Sequence, residues 1–269
     1  MNFYKDKVAV VTGAGSGIGR AIAQLLDRYG AKVHCADVNL QAAEAVARSL
    51  KDGRAHSVDV TDADAVQALA DKVFAEDGRV DLLFNNAGIG HAAFVLDTGL
   101  DDWRRVMEVN VMGVVNGLHA FLPRMSKQTT PSNIINTASA AGLISIPRMA
   151  PYCASKHAVV GLSQSLAAEL HDTNVSVTIL CPGIINTAIV KNTIMTGETQ
   201  SHQAQAVAFY EKKGASPDKV AADLLRDVRK GKLICITPRI EVGVGWFAQR
   251  FSPRLAGVLA RLQIGQVLK

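Results

Sequence analysis

Short apolar runs alternate with amphipathic segments over most of this chain of 269 residues. Val, Ile and Leu dominate seven of the runs, and this composition predicts β-strands that are buried on both faces. The seven runs are residues 8–11, 32–36, 55–58, 82–85, 133–136, 175–180 and 233–236. Between them, apolar residues recur at helical spacing, as in Ile18, Ile22, Leu25 and Tyr29, with Gly30 at the position of a C-terminal cap. The alternation predicts an α/β fold, a doubly wound parallel sheet of about seven strands with helices on both faces.

Two of the predicted helices are long, residues 103–125 and 152–170. Another follows the third strand, where Thr61 and Asp64 form a candidate capping pair. No repeat, linker or low-complexity tract divides the first 190 residues, and we expect a single domain over residues 1–269.

Two segments stand apart from this regular pattern. Residues 191–215 are polar and poor in strand signal, and they contain Gly197 and Gly214 near their ends. This composition predicts a substrate lid or a short helical insert. Residues 240–269 form a basic amphipathic C-terminal tail.

The composition is that of a globular protein, with 48% hydrophobic residues, 20% charged residues and only 8 Pro. The low aromatic content of 5%, together with 22 Gly, argues against an all-β fold. Charged residues and an early glycine-rich turn interrupt the start of the chain where a secretory signal needs an apolar core, and the longest apolar runs fall short of the ~20 residues of a membrane span. We therefore expect a cytoplasmic protein. The four cysteines are far apart in sequence, which predicts reduced thiols, and they are Cys35, Cys153, Cys181 and Cys235.

The formal net charge of +5 is concentrated at the end of the chain, where residues 225–269 carry nine Lys/Arg and two Asp/Glu. No recognised nucleic-acid-binding motif accompanies this excess, so we expect no nucleic-acid partner. The tail has two interpretations: contact with an anionic membrane, or packing against a partner subunit or the same fold. Packing is favoured because Pro253 interrupts the helical pattern. Its apolar and basic residues are Trp246, Phe247, Arg250, Phe251, Arg254, Leu255, Val258, Leu259, Arg261 and Leu262.

A glycine-rich turn joins the first strand to the first helix. It reads Thr12-Gly13-Ala14-Gly15-Ser16-Gly17-Ile18-Gly19. Glycines allow a sharp turn and a close approach of the backbone to a ligand, and the N-terminus of the following helix favours a pyrophosphate. Strand, turn and helix together predict a Rossmann-type dinucleotide site.

Asp37 ends the second strand, where such folds place the group that meets the adenosine ribose. A carboxylate there accepts hydrogen bonds from the ribose hydroxyls and repels the 2′-phosphate of NADP, and Ser16 supplies no compensating cation. NAD is therefore the predicted cofactor. The alternative is that Asp37 only caps the helix over residues 40–50.

A candidate proton-transfer set follows the fifth strand. Tyr152 and Lys156 are four residues apart on a predicted helix, and Ser139 precedes Tyr152 by 13 positions. A phenol has an ordinary pKa of ~10, which must fall by about 3 for work near neutral pH, a change that costs ~4 kcal/mol. One ammonium at ~4 Å supplies roughly that amount at an effective dielectric near 20. Taken alone, a Tyr and a Lys at this spacing are more often a solvated helical pair.

These motifs together resemble the classical short-chain dehydrogenase/reductase family over about residues 5–190. The turn Thr12-Gly13-x-x-x-Gly17-x-Gly19, the segment Asn85-Asn86-Ala87-Gly88, the pair Tyr152-x-x-x-Lys156, and Pro182-Gly183 with Thr187 carry the resemblance. It implies that Tyr152 is the acid/base, that Lys156 lowers its pKa and holds the nicotinamide ribose, and that Ser139 orients the reacting oxygen. Asn110 would complete a catalytic tetrad by holding a water. The implied cofactor-binding residues are Gly13, Ser16, Gly17, Ile18, Gly19, Asp37, Asp59, Val60, Asn86, Ala87, Gly88, Tyr152, Lys156, Pro182, Gly183, Ile185 and Thr187.

The implied reaction interconverts a secondary alcohol and a ketone with NAD(H) and needs no metal. We expect no metal site, because the seven histidines show no paired spacing with acidic residues. The expected substrate is a lipophilic small molecule, and the expected assembly is a homo-oligomer, a dimer or a tetramer. Pocket candidates are His91, Phe94, Leu143, Ile144, Ile146, Met149, Ile184, Ile189 and Val190, although such residues are also ordinary core. Arg148 is either a partner for an anionic substrate group or a solvated loop residue.

Two other functions use parts of the same pattern. A non-catalytic NAD sensor needs the glycines and Asp37 but not Ser139, Tyr152 or Lys156. A sugar-nucleotide epimerase or dehydratase shares the Tyr and the Lys, but the turn spacing and the modest length argue against it.

Overall fold

A computed structural model describes residues 3–254, 256–258 and 260–261. Its nine strands are β1 (Val8–Thr12), β2 (Lys32–Asp37), β3 (Gly53–Ser57), β4 (Leu82–Asn85), β5 (His91–Ala92), β6 (Ser132–Thr137), β7 (Val175–Pro182), β8 (Ile194–Met195) and β9 (Ile234–Thr237). Seven of them form one sheet in the order β3-β2-β1-β4-β6-β7-β9, with every pairing parallel. Each predicted strand overlaps one of the seven, which confirms the α/β fold with its Rossmann-type doubly wound sheet.

The nine helices of the described residues are α1 (Gly17–Arg28), α2 (Leu40–Arg48), α3 (Ala63–Asp77), α4 (Leu100–Met107), α5 (Gly113–Met125), α6 (Ala150–Glu169), α7 (Gln203–Lys213), α8 (Pro217–Arg229) and α9 (Arg239–Phe251). One face of the sheet buries Ile22 of α1 and Leu224 of α8. The other face buries Val73 of α3 and Phe121 of α5. Helices thus cover both faces, which explains why β1, β4 and β6 are buried along their whole length.

The ends of two helices test the local sequence signals. Gly30 follows the C-cap of α1 with a φ of 85°, in the left-handed region where glycine is favoured. The predicted cap of α3 is wrong by one residue: Asp62 is the N-cap and accepts hydrogen bonds from the backbone N–H groups of Asp64 and Ala65. Thr61 instead donates its hydroxyl to Asp59.

The long helix predicted over residues 103–125 contains a change of winding. It consists of α4, a π-helical turn over Glu108–Met112, and α5. Such π turns occur frequently at functional sites because the extra residue redirects nearby side chains. Asn110 lies in this turn and is fully buried.

The segment over residues 191–215 folds as a small helical insert. It contains β8, a 3-10 helix over Gly197–His202, and α7. The sequence predicted no strand in this segment, but β8 is present and pairs in parallel with β5. Thr199 adds a hydrogen bond from its hydroxyl to the carbonyl of Ala92, so the insert is attached to the segment that follows β4.

The C-terminal tail begins with α9, which ends at Phe251 just before Pro253. Val242 is buried and Trp246 packs against the core, so one face of α9 lies on the same fold. The opposite face leaves Phe247 and Phe251 exposed. Leu255, Leu259 and Leu262 of the predicted apolar face lie outside the described residues. Within the described part of the chain, no helix has the length and apolar character needed to span a membrane.

Candidate active site

A cavity of about 1250 Å³ opens at the carboxyl edge of the sheet, where the strand order reverses between β1 and β4. Pockets for one small ligand usually measure ~300–1,000 Å³, so this cavity has room for a large cofactor beside a substrate. Most predicted site residues line it: Gly13, Ser16, Gly17, Ile18, Asp37, Asp59, Val60, Asn86, Ala87, Gly88, Ser139, Tyr152, Lys156, Pro182, Gly183, Ile185 and Thr187. Gly19 and Asn110 are not in the lining and lie behind it.

The glycine-rich turn packs tightly against the start of α1. Gly13 has a φ of 65°, which is strained for residues with a side chain. A Cβ on Gly19 would lie 2.2 Å from the carbonyl oxygen of Gly13, so only glycine allows this close approach. The turn is therefore shaped by these glycines before any ligand binds.

Hydrogen bonds from the neighbouring strand fix the same turn. The Thr12 hydroxyl oxygen accepts from the backbone N–H groups of Asn86 and Ala87 at 2.9 and 3.1 Å. The Asn86 side-chain amide donates to the carbonyl of Thr12 at 2.9 Å and to that of Gly13 at 3.5 Å. Asn86 thus borders the cavity and also ties the end of β4 to the turn.

The N-terminus of α1 suits an anionic ligand. Ser16 is its N-cap, but the Ser16 side chain makes no capping hydrogen bond, and the first turn of α1 carries no acidic residue. The helix dipole and the N–H groups there are favourable for a pyrophosphate. From the other side of the cavity, the side chain of Thr187 faces Gly17.

Asp37 is held at the edge of the cavity by two backbone groups. Its carboxylate accepts from the N–H of Gly15 and from the N–H of Asn39, both at 2.9 Å. The alternative that Asp37 caps α2 is wrong, because Asn39 is the N-cap and accepts from Ala42. The carboxylate is therefore fixed beside the glycine-rich turn, at the end of β2.

Asp59 and Val60 follow β3 on the same side of the cavity. The Asp59 carboxylate is exposed and accepts from the backbone N–H and the hydroxyl of Thr61 at 2.9 and 2.8 Å. Val60 is buried, and its carbonyl accepts from Asn116 of α5 at 2.9 Å. Their apolar and polar surfaces border the region expected to receive an adenine ring.

The Tyr152 and Lys156 side chains lie together on the cavity face of α6. Nζ of Lys156 is 5.7 Å from the centroid of the Tyr152 ring and donates to the carbonyl of Thr137 at 2.9 Å. Lys156 is 3% exposed, and burial lowers its pKa to about 8. At neutral pH the Lys156 side chain is therefore protonated and positively charged in most protein molecules.

Burial acts on the Tyr152 phenol against the direction that the Lys156 charge was expected to give. It raises the pKa of Tyr152 to about 12, and a hydrogen bond with the Ser139 side chain opposes this rise. The Lys156 ammonium donates one of its hydrogen bonds to the Thr137 carbonyl and lies 5.7 Å from the centroid of the Tyr152 ring. In the protein without ligands, the phenol is a proton donor at neutral pH.

Ser139 stands at the end of β6 beside Tyr152. Its hydroxyl oxygen accepts from the N–H of Ala141 at 3.1 Å, as N-cap of the short 3-10 helix Ala140–Gly142. Its hydroxyl also lies 3.5 Å from the carbonyl of Pro182, a weak contact. A long bond of this kind leaves the Ser139 hydroxyl able to turn toward a ligand oxygen.

Asn110 supports the site from behind. Its side chain accepts from the N–H of Ile89 at 2.9 Å and donates to the carbonyl of Ile89 at 3.0 Å and to the Ser155 hydroxyl at 3.1 Å. These bonds connect the π turn, the loop after β4, and α6. Gly88 lies between Asn110 and Lys156, because a Cβ there would be 3.0 Å from Oδ1 of Asn110 and 3.4 Å from Nζ of Lys156.

The loop after β7 closes the other side of the cavity. Gly183 donates its N–H to the carbonyl of Thr237 at 2.9 Å. Ile185 is 4% exposed and forms an isolated bridge with Ala215, at the end of the insert. Contacts with β9 and with the insert therefore fix the positions of Gly183 and Ile185.

The predicted apolar pocket is found in part. Ile144, Ile146, Met149, Ile184, Ile189 and Val190 line the cavity. His91 and Leu143 do not line it and are buried, and Phe94 lies outside it with its ring under the Arg148 guanidinium. For these three residues the ordinary structural interpretation applies.

Several cavity residues were not predicted from the sequence. Phe209, Tyr210 and Lys213 come from α7, while Arg105 and Glu108 come from α4 and the π turn. Their contribution depends on how the insert folds back over the strand ends. The helical spacing of Phe209 and Lys213 was the available signal, but it does not show where the helix packs.

The spacing of the histidines along the chain did not predict the contact that His34 makes with an acidic residue. His34 Nε2 lies 2.6 Å from Oδ2 of Asp77, and its Nδ1 lies 2.9 Å from Nε2 of His56. Glu76 completes a group of side chains whose spacing would accommodate a metal ion. Asp77 also pairs with Lys32, so His34, His56, Asp77 and Lys32 form a hydrogen-bonded network away from the cavity, and Glu76 stands exposed beside it.

The doubly wound sheet and the glycine-rich turn define a dinucleotide-binding protein of the Rossmann class. A sequence profile of the family described as short chain dehydrogenase matches residues 7–197. A crystal structure of a short chain dehydrogenase/reductase from Burkholderia phymatum in complex with NAD has a TM-score of 0.89 and 33% sequence identity, covering 96% of this chain and 97% of that chain.

Two curated relatives agree with the profile. The probable oxidoreductase EphD of Mycobacterium tuberculosis is 39% identical over 86% of this chain, which spans only 41% of EphD. Meso-2,3-butanediol dehydrogenase of Serratia marcescens is 38% identical over 81% of this chain and 86% of that enzyme. This chain belongs to the short-chain dehydrogenase family of oxidoreductases.

Proposed function

We propose that this protein is an NAD(H)-dependent oxidoreductase that interconverts a secondary alcohol and a ketone, with Tyr152 as the acid/base. The observation that carries the proposal is the grouping of Tyr152, Lys156 and Ser139 in a cavity that also contains the glycine-rich turn. A sensor of the dinucleotide needs only the turn and Asp37.

Two observations support NAD as the cofactor. Asp37 accepts two backbone hydrogen bonds, which hold its negative charge where a ribose is expected. A carboxylate in that position favours ribose hydroxyls over a phosphate of like charge. The Burkholderia phymatum neighbour was crystallised with NAD, which supports the same choice.

In the proposed binding mode, Gly13, Ser16, Gly17, Ile18 and Gly19 form the cradle for the pyrophosphate, and Asp59, Val60, Asn86, Ala87 and Gly88 border the adenosine half and the centre. Pro182, Gly183, Ile185 and Thr187 border the nicotinamide half, beside Lys156 and Tyr152. When bound, the nicotinamide accepts a hydride during alcohol oxidation and supplies one during ketone reduction.

The proton is handled by the residues of this chain. In the direction of reduction, Tyr152 donates its phenolic proton to the ketone oxygen, and the alcohol O–H forms as the carbonyl π bond breaks. The Ser139 hydroxyl donates a hydrogen bond to the same oxygen as negative charge develops there. Lys156 keeps a positive charge near the phenolate that remains, and Asn110 positions the loop and the helix around it. Oxidation reverses each step.

The raised pKa of Tyr152 gives the two directions opposite pH dependence. The phenol is the form present at neutral pH, and it serves ketone reduction. Alcohol oxidation requires the phenolate, whose fraction grows as the pH rises toward about 12. We therefore expect alcohol oxidation to accelerate at alkaline pH while reduction does not.

We propose a lipophilic alcohol or ketone as the substrate, because Ile144, Ile146, Met149 and Ile189 give apolar lining to the cavity that also contains Tyr152. Residues 191–215 are proposed as the lid over this substrate. Enzymes that act on alcohols occur among the relatives, as the name of the Serratia butanediol dehydrogenase states. We further propose a dimer or a tetramer, which light scattering of the purified protein measures directly.

The test is a turnover assay of the purified protein with a panel of secondary alcohols and ketones, including butane-2,3-diol, with NAD and with NADP. The proposal expects reduction of NAD with at least one alcohol, faster at alkaline pH. A protein that binds NAD and turns over no member of the panel in either direction is a sensor, and this result would refute the proposal.

A further inference from the structure

Arg148 is a cation of the cavity that has no part in the proposed reaction. It lies with Ile146, Pro147 and Met149 in the lining, four residues before Tyr152. Arginine side chains on loops usually extend into solvent, whereas Arg148 is half-buried in the lining of the cavity. A ligand in the cavity could therefore contact the Arg148 side chain.

The guanidinium is fixed in place before any ligand binds. Its carbon lies 4.3 Å from the centroid of the Phe94 ring, a cation–π contact. The backbone of Arg148 has a φ of 62°, in the left-handed region that non-glycine residues rarely adopt. Its carbonyl accepts from the N–H of Ala93 at 2.8 Å, so the backbone beside Phe94 holds the backbone of Arg148.

No acidic side chain that the structure describes neutralises the charge of Arg148. Among residues 3–240, 242–254, 256–258 and 260–261, no carboxylate lies within 4 Å of its guanidinium, and its side chain makes no hydrogen bond within that part of the chain. Asp37, Asp59 and Glu108 also line the cavity, and none of these three forms an ion pair with Arg148. By contrast, Arg226 and Arg239 pair with acidic residues of α8.

The chemistry of this arrangement selects an anionic group. Stacking on Phe94 occupies one face of the guanidinium and leaves its N–H edges free in the plane, where they match the two oxygens of a carboxylate. The neighbouring side chains Ile144, Ile146 and Met149 suit a hydrocarbon. We infer that Arg148 binds the carboxylate of an amphipathic substrate, a secondary alcohol or ketone with an apolar body and an acidic end. This inference rests on the proposed function for its reaction, but it concerns binding alone.

The experiment measures the binding of octanoate and of methyl octanoate to the NAD-saturated protein by calorimetry. R148M removes the charge but keeps a side chain of similar length. R148K keeps the charge but loses the planar guanidinium, whose paired N–H groups match the two carboxylate oxygens. R104M is the matched control, because Arg104 is exposed, pairs with Asp101, and does not line the cavity. A charge-assisted fork predicts that wild type prefers octanoate by about 10- to 100-fold.

We expect R148M to lose this preference, R148K to retain a small part of it, and R104M to keep it. A preference that weakens with added salt in wild type adds a test that needs no variant. Equal binding of acid and ester by wild type, or a preference that survives in R148M, overturns the inference, and so does binding of neither ligand. These binding results are independent of the proposed oxidoreductase activity. Failure of that proposal would appear separately, as NAD binding without turnover in the alcohol and ketone assay.

Discussion

The most instructive perturbation of the cofactor site is D37N. It removes the negative charge of Asp37 but keeps an oxygen able to accept from Gly15, which the carboxylate binds at 2.9 Å. Because two backbone N–H groups hold the carboxylate, it cannot turn away from a phosphate on the neighbouring ribose. Two unit charges ~5 Å apart repel by about 3 kcal/mol at an effective dielectric near 20. That energy corresponds to roughly a 100-fold preference for NAD over NADP.

The assay compares kcat/KM with NAD and with NADP for wild type, D37N and the control D172S. Asp172 is exposed in the turn that follows α6 and does not line the cavity, so D172S makes the same change in net charge away from the cofactor site. We expect D37N to reduce the NAD preference by about 10- to 100-fold, with solvent screening setting the lower figure. D172S should leave the preference unchanged. If wild type already prefers NADP, or if D37N leaves the ratio unaltered, the assignment of Asp37 to the ribose is wrong.

Two further predictions concern stability. Burial lowers the pKa of His56 from 6.5 to about 4, and it also lowers the pKa of His34. The unfolded chain therefore binds more protons than the folded protein between pH 6.5 and pH 4. The free energy of unfolding should fall by up to about 3 kcal/mol as the pH falls through this range. Urea unfolding at several pH values measures this loss, and H56Q should flatten it; an unchanged slope in H56Q would contradict the assignment. N110A should destabilise the fold by about 2–4 kcal/mol, because it leaves the N–H and the carbonyl of Ile89 without partners. Denaturant unfolding of N110A and N110D would show this, and a loss under about 0.5 kcal/mol in N110A would argue against the positioning role of Asn110.

The fold could be predicted well because its signals are local. Most strands of the sheet contain a short apolar run, as in β1, β4 and β7, and the glycine-rich turn marks the junction of β1 and α1. The grouping of Tyr152, Lys156 and Ser139 follows from the same logic, since parallel strands end at one edge of a sheet.

What could not be predicted depends on contacts between distant segments. His34 meets Asp77, 43 positions away, only after β2 and α3 pack together. Burial raises the pKa of Tyr152, and the extent of that burial depends on how distant segments pack around α6. The stacking of Arg148 on Phe94 likewise depends on the backbone bond between Ala93 and Arg148.

The central claim is that the phenol of Tyr152 transfers the proton of the reaction, and Y152F tests it most directly. The account predicts that Y152F binds NAD with an unchanged dissociation constant and loses about 100- to 10,000-fold in kcat. The control Y29F, at the C-cap of α1 and outside the cavity lining, should keep the wild-type rate. Turnover by Y152F close to that of wild type, with NAD still bound, would contradict the account.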